Sequence, residues 1–103
     1  MSVNVQWVQT TAITSATAYA IPATAIGLPA EAYLTGVQGA IIAPLANGTA
    51  ASTASPIAET GQVATASAAS QISLDVSTQK LTSGDTIPAD SVVTVVVEIA
   101  GND

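Results

Sequence analysis

Val3, Val5, Trp7, Thr11 and Ile13 fall on one parity, and Asn4, Gln6, Thr10 and Thr14 fall on the other. A period of two is the mark of a strand with one buried face, so residues 1–14 are predicted as an N-terminal strand or arm, with Val8 breaking the parity. Ala16 to Ile21 continues extended until Pro22, which lacks an amide donor and ends central pairing. Pro22 to Pro29 then reads as irregular. Pro29-Ala30-Glu31-Ala32 has the proline and early acid of a helical turn, cut short by Thr35 and Gly36. β character resumes from Tyr33 through Val37, Ile41 and Ile42, and Gly36 and Gly39 inside it predict bulges or close backbone approaches.

Asn47-Gly48 is a turn dipeptide, because both residues tolerate positive φ. With Thr49 it also matches a glycosylation sequon, but the turn is the preferred reading since no secretory signal precedes it. Residues 46–70 are rich in Ala, Ser, Thr and Gly, with Ile57 and Val63 the only sizeable apolar residues. Pro56 and Gly61 oppose a helix there, and a long loop with one short strand near Val63 is expected.

The last third alternates most cleanly. Ile72, Leu74 and Val76 oppose Gln71, Ser73, Asp75 and Ser77, predicting a strand with one wet face. Thr82-Ser83-Gly84-Asp85 reads as a turn, and residues 71–100 as a C-terminal hairpin. In Ser91 to Ala100, Val93, Val95, Val97 and Ile99 form one face and Val92, Thr94, Val96 and Glu98 the other. That second face is half apolar, so a second sheet or a neighbouring subunit is expected to cover it; left bare, Val92 to Val97 is an aggregation hazard guarded by Glu98. The pattern predicts an all-β fold: one small antiparallel β-sandwich or barrel over residues 1–103, with a long Ala/Ser/Thr-rich loop.

Composition changes the picture in two ways. Ala, Thr, Ser, Val and Ile supply 65 of the 103 residues, and Trp7, Tyr19 and Tyr33 are the only aromatics. Burying a Val or Ile contributes roughly 1.5–3 kcal/mol and an Ala little, so a lone domain built this way is marginal and gains from association. With no cysteine, disulfides cannot help. Seven carboxylates against Lys80 give a net charge of −6, which disfavours nucleic acid and anionic membrane surfaces as partners. Only 8% of residues are charged, a neutral surface suited to protein contact.

The chemistry of catalysis is thinly supplied. There is no histidine or arginine, no Gly-x-Ser-x-Gly elbow, and Lys80 is the only base a serine nucleophile could recruit. Gly36-Val37-Gln38-Gly39 lacks the lysine and spacing of a phosphate loop. Asp75, Asp85, Asp90 and Glu98 could in principle offer oxygens to Ca²⁺, but their spacing is not that of a calcium loop, and turn roles explain them better. No enzyme activity, cofactor or metal is expected. Trp7 reads as a core filler or as an anchor in a subunit interface; the candidate interface residues are Val3, Val5, Trp7, Val92 and Val96. Met1 to Trp7 has neither the basic nor the apolar region of a secretory signal, and no apolar run reaches the ~18 residues of a membrane span. Synthesis in the cytoplasm of a host cell is expected, with a removed leader as the open alternative.

The stretch Lys80-Leu81-Thr82-Ser83-Gly84-Asp85-Thr86-Ile87-Pro88-Ala89-Asp90-Ser91-Val92-Val93-Thr94-Val95-Val96-Val97-Glu98-Ile99 resembles the closing strands of small β-structured virion proteins of tailed bacteriophages. Ile21-Pro22-Ala23, Leu28-Pro29-Ala30 and Tyr33-Leu34-Thr35-Gly36-Val37 echo a similar phrase earlier in the chain. The resemblance covers about half of the chain. It implies a capsid decoration (cement) protein, head fibre or tail accessory domain, and transfers no functional residue. The expectation is a structural protein on the outer capsid surface that bridges major capsid subunits. It is expected to self-associate, with trimers suiting quasi-threefold positions, and to reach a neighbour's sheet edge through Val3 to Trp7. The alternatives are a subunit of an extracellular filament, or a carbohydrate- or cell-surface-binding module in which Trp7 and the tyrosines stack on sugars.

Overall fold

The computed structural model describes residues 1–45 and 56–100. Eight strands follow in chain order: β1 (Ser2–Gln9), β2 (Ala18–Tyr19), β3 (Leu34–Pro44), β4 (Ile57–Glu59), β5 (Gly61–Gln62), β6 (Gln71–Asp75), β7 (Lys80–Ser83) and β8 (Ser91–Ile99). They form two four-stranded sheets, sheet I in the order β1-β8-β3-β4 and sheet II in the order β2-β7-β6-β5. The fold is all-β, as the alternation predicts, and of the two expected architectures it is the sandwich. One pair departs from the antiparallel expectation: β5 runs parallel to β6.

β8 is the spine of sheet I. It pairs with β1 without a break from Ser2↔Glu98 to Gln9↔Ser91, and with β3 on its other side. Its odd residues point inward, and Val93, Val95 and Val97 are fully buried. Across the ladder they meet Trp7, Val5 and Val3 on β1 and Ile42, Ala40 and Val37 on β3, so one face of three strands makes one wall of the core. Ile72 and Leu81 of sheet II, with Tyr19 and Ile87, make the other. Trp7 and Tyr19 meet between the walls with ring centroids 6.4 Å apart. The predicted bulges in β3 are present: the register with β8 shifts between Leu34 and Gly36 and again between Val37 and Gly39. At Gly39 a side chain is excluded, because a Cβ there would lie 2.8 Å from the Glu59 carbonyl oxygen.

Several expectations are corrected. Pro29 to Ala32 is a single reverse turn, not helical: the Ala32 amide reaches the Pro29 carbonyl at 3.2 Å and Glu31 takes φ 59°. Ala16 also adopts positive φ, so the extended run after it shrinks to the two residues of β2. Thr82 and Ser83 are not turn residues but part of β7, paired with Ser73 and Ile72. The turn falls earlier, at 76–79, where the Asp75 carboxylate accepts from the Ser77 amide (3.0 Å) and hydroxyl (2.7 Å). Residues 71–100 are accordingly no single hairpin: β6 and β7 form one, and β8 crosses to the other sheet. Ser73, expected on a wet face, is buried because Ala66 lies over it and donates its amide to the Ser73 hydroxyl at 3.1 Å.

In the low-complexity region, residues 46–55, including Asn47-Gly48-Thr49, lie outside the described residues. The rest holds two short strands, β4 and β5. Val63 itself follows β5, with its amide on the Ile72 carbonyl at 3.0 Å.

Candidate interaction surface

The side chains of sheet I that do not enter the core build its outer face. Cross-strand register arranges them in rows. Val8, Val92 and Ala43 form one; Gln6, Thr94, Ile41 and Ala58 the next; then Asn4, Val96 and Gly39; and last Ser2, Glu98 and Gly36. Side chains opposite one another on a pleated sheet lie close enough to form a continuous surface. The result is an apolar ridge through Val8, Val92, Ile41 and Val96, with Val8 53% and Ile41 45% exposed. Two shallow hollows flank it. One, of about 250 Å³, is open above Gly39 and is lined by Ile41, Thr60, Thr94 and Val96 among others. The other, of about 360 Å³, lies between Val8, Val92, Thr24 and Ile26.

Charge is nearly absent from this face. Among the described residues its sole carboxylate is Glu98, which accepts from the Ser2 hydroxyl and the Gln38 amide. Those contacts, the Ser2 hydroxyl foremost, hold the Glu98 carboxyl below the usual carboxylate range, and the Met1 ammonium stands 3.5 Å away.

The chain itself covers part of the open sides of β1 and β3. Antiparallel pairing turns the Gln6 amide and carbonyl away from β8, and both meet Ile26 at 2.9 Å. Gly27 then lies so close over Asn4 that a Cβ would come 2.0 Å from its carbonyl oxygen. On β3, the Gln79 side-chain amide stands in for a strand, accepting from the Leu34 amide at 2.7 Å and donating to the Leu34 carbonyl at 3.0 Å. β4 covers Ala40 to Ile42. Short strands, bulges and covered amides are the devices by which sheets avoid pairing with other chains.

Of the sequence-predicted interface residues, the structure separates two groups. Val92 and Val96 lie half-buried together on the outer face. Val5 and Trp7 are 0% and 4% exposed and belong to the chain's own core, with Val3 packed against it. They cannot anchor a neighbour without unfolding this chain. The Trp7 ring nitrogen donates within the chain, to the Gln9 side chain at 2.9 Å. Sequence reasoning missed Val8, Ile41 and Ile26, the three most exposed aliphatic residues around the ridge. The signal for Val8 was its parity, which places it opposite Val92.

Polar chemistry gathers elsewhere, at the corner between β4 and the segment after β7. Glu59 is fully buried; its Oε1 accepts from the Asp85 amide at 3.0 Å, and its Oε2 has no partner. Burial pushes its carboxyl up to about 7, the Asp85 amide opposes this, and the neighbouring Asp85 carboxylate adds to it. Asp85 in turn accepts from the Ser70 amide at 2.8 Å. Nearby, the Tyr19 and Ser83 hydroxyls share a buried hydrogen bond of 2.6 Å, and burial pushes Tyr19 up to about 12. These groups tie loops together within a packed corner. Among the described residues no three acidic, His or Cys side chains converge as a metal site would require. Nor does any described helix have the length and apolar character to cross a membrane.

No family model, no curated protein and no solved structure matches this chain.

Proposed function

We propose that this chain is a non-enzymatic structural protein of a virion, a decoration or cement protein that sits on the outer surface of a capsid and bridges neighbouring capsid subunits. The observation that carries the reading is the outer face of sheet I: an apolar ridge, almost free of charge, on a chain of net charge −6. Such a face contributes to assembly by burial of small apolar side chains, and repeated over many copies a weak contact becomes a tight coat. The likeness of Lys80–Ile99 to closing strands of phage virion proteins supports the same reading. The covered stretches of β1 and β3 count against a filament built by strand addition there. The burial of Trp7 and Tyr19 leaves Tyr33 as the only exposed ring, which counts against a sugar-stacking module.

The test is to isolate the assembly that carries the chain and wash it in rising salt. Icosahedral particles that keep the protein at ~1 M salt are expected, because apolar burial is not screened by ions. Homopolymeric fibres, or release by salt alone, would overturn the proposal.

A further inference from the structure

We infer that the outer face of sheet I is a self-pairing surface, on which a second copy of this chain packs sheet to sheet over Val8, Ile41, Val92 and Val96. The inference rests on reading that face as an assembly surface and names its first partner.

Elimination narrows the mode of contact. Strand addition at β1 meets Ile26 and Gly27, and at β3 it meets Gln79 and β4. The outer face of sheet II is no alternative of the same kind: Ala18, Thr82 and Ser73 line it, and the segment at Ala66 already covers Ser73. Of these surfaces, the ridge with its hollows is the uncovered apolar one.

Charge narrows the partner. Among the described residues Glu31, Asp75, Asp85 and Asp90 lie off this face and Glu59 is sealed inside, leaving Glu98 alone on it. A basic partner would find little here to pair with, and a polyanion would be repelled by the molecule as a whole. The fitting partner is an uncharged, flat β surface of matching extent, and the surface on this molecule that answers the description is the same face of a second copy. Two such acidic chains meet with fewest like charges opposed when these faces are turned to each other. Sheets packed face to face sit ~10 Å apart with their side chains interdigitated, and here each ridge has a hollow on either side of it to receive its counterpart.

Area sets the strength. Strands rising ~3.3 Å per residue and spaced ~4.8 Å apart make this face about 30 by 15 Å, roughly 450 Å² per copy against the ~800 Å² of a standard stable complex. The pair is therefore weak, monomeric when dilute and formed when copies are crowded, and it must open where the same face meets a capsid subunit. An isologous face closes at two copies, not the three that a quasi-threefold site suggests.

Sedimentation equilibrium from micromolar to millimolar protein tests this, with circular dichroism as a check of fold. The wild type is expected to move toward twice the monomer mass, as strongly at ~1 M salt as at ~0.1 M. Val96→Glu is expected to weaken pairing about tenfold or more. Should Val96→Glu fail to fold, Ile41→Ser, at an exposed position, is expected to weaken pairing in its place. Thr82→Glu, on the outer face of sheet II, should pair as the wild type does. A wild type that stays monomeric at millimolar concentration, a trimer as end state, or pairing indifferent to both Val96→Glu and Ile41→Ser would overturn the inference. A monomer that still coats capsids would sink this inference and leave the proposed function standing; a dimer that binds no capsid would do the reverse.

Discussion

Sheet I and sheet II are both four-stranded, yet they are held by different means. Three strands of sheet I run eight, eleven and nine residues and share continuous ladders, with valines on both faces of β8. Sheet II has strands of two, four, five and two residues. Side chains that bind backbone make up for its short ladders: the Gln71 side-chain carbonyl oxygen accepts from the Ser67 and Ala68 amides, Asp85 from Ser70, Ser73 from Ala66 and, reaching over from β4 of sheet I, Glu59 from Asp85. Sheet I thus gets its register from apolar burial and has apolar surface to spare. Sheet II gets its register from polar tethers and covers itself.

Trp7→Ala should break this arrangement most severely, since Trp7 is where the core faces of the two sheets meet. A loss of about 3–5 kcal/mol is expected in denaturant unfolding. Removing residues 1–8 should for the same reason abolish folding, not merely attachment, because Val5 and Trp7 leave with them.

Gly84→Ala attacks the self-covering of sheet II alone. A Cβ at position 84 would lie 1.7 Å from the Ala68 carbonyl oxygen, so the covering segment must shift. Overpacking of this kind costs about 1–3 kcal/mol, and faster amide exchange is expected at Ala66 than at Val95. Equal loosening of both sheets would argue against their separate support. Gln79→Ala removes the plug on Leu34 and should cost about 1 kcal/mol. It also bares part of the β3 edge, so a measurable rise in aggregation rate should accompany it.

The polar tethers also give the fold a pH response. Glu59 is raised to about 7 in the folded chain against an ordinary value of 4.5, so its contribution to stability is fully present below about 4.5 and lost as pH rises to about 7. Glu59→Gln should flatten that decline in thermal unfolding measured across pH. Asp75 is held low, chiefly by the Ser77 hydroxyl, and Glu98 chiefly by that of Ser2, and they act in the opposite sense. Their stabilisation is lost as pH falls through and below the ordinary carboxylate range. Thermal stability should therefore peak in mildly acidic solution, and a maximum above pH ~7 would contradict the assignment to Glu59.

The same contrast explains what the amino-acid pattern revealed. β8 and β1 are legible because ladder register and core burial both follow a period of two, and Gly36 and Gly39 mark the bulges of β3 directly. In sheet II the period shows in β6, where Ile72 and Leu74 alternate with Gln71, Ser73 and Asp75, while β2, β5 and β7 are too short for it. The turn at 76–79 depends on Asp75 reaching Ser77, and a buried Ser73 depends on Ala66, seven positions earlier. Nothing in the alternation distinguishes such a serine from a wet one. The candidate surface was half legible: Val92 and Val96 stand out on the second face of β8, but Ile41 and Val8 join them only through register. Trp7 illustrates the converse, an aromatic whose residue type fits an interface and whose inward parity places it in the core.

Whether sheet I presents the contact surface and sheet II does not can be read from a dilution series followed by methyl chemical shifts. Concentration-dependent shifts are predicted at Val8, Ile41, Val92 and Val96, with Ala18 and Leu74 of sheet II unmoved. Shifts gathered at Ala18 and Leu74, or none anywhere up to millimolar protein, would contradict it.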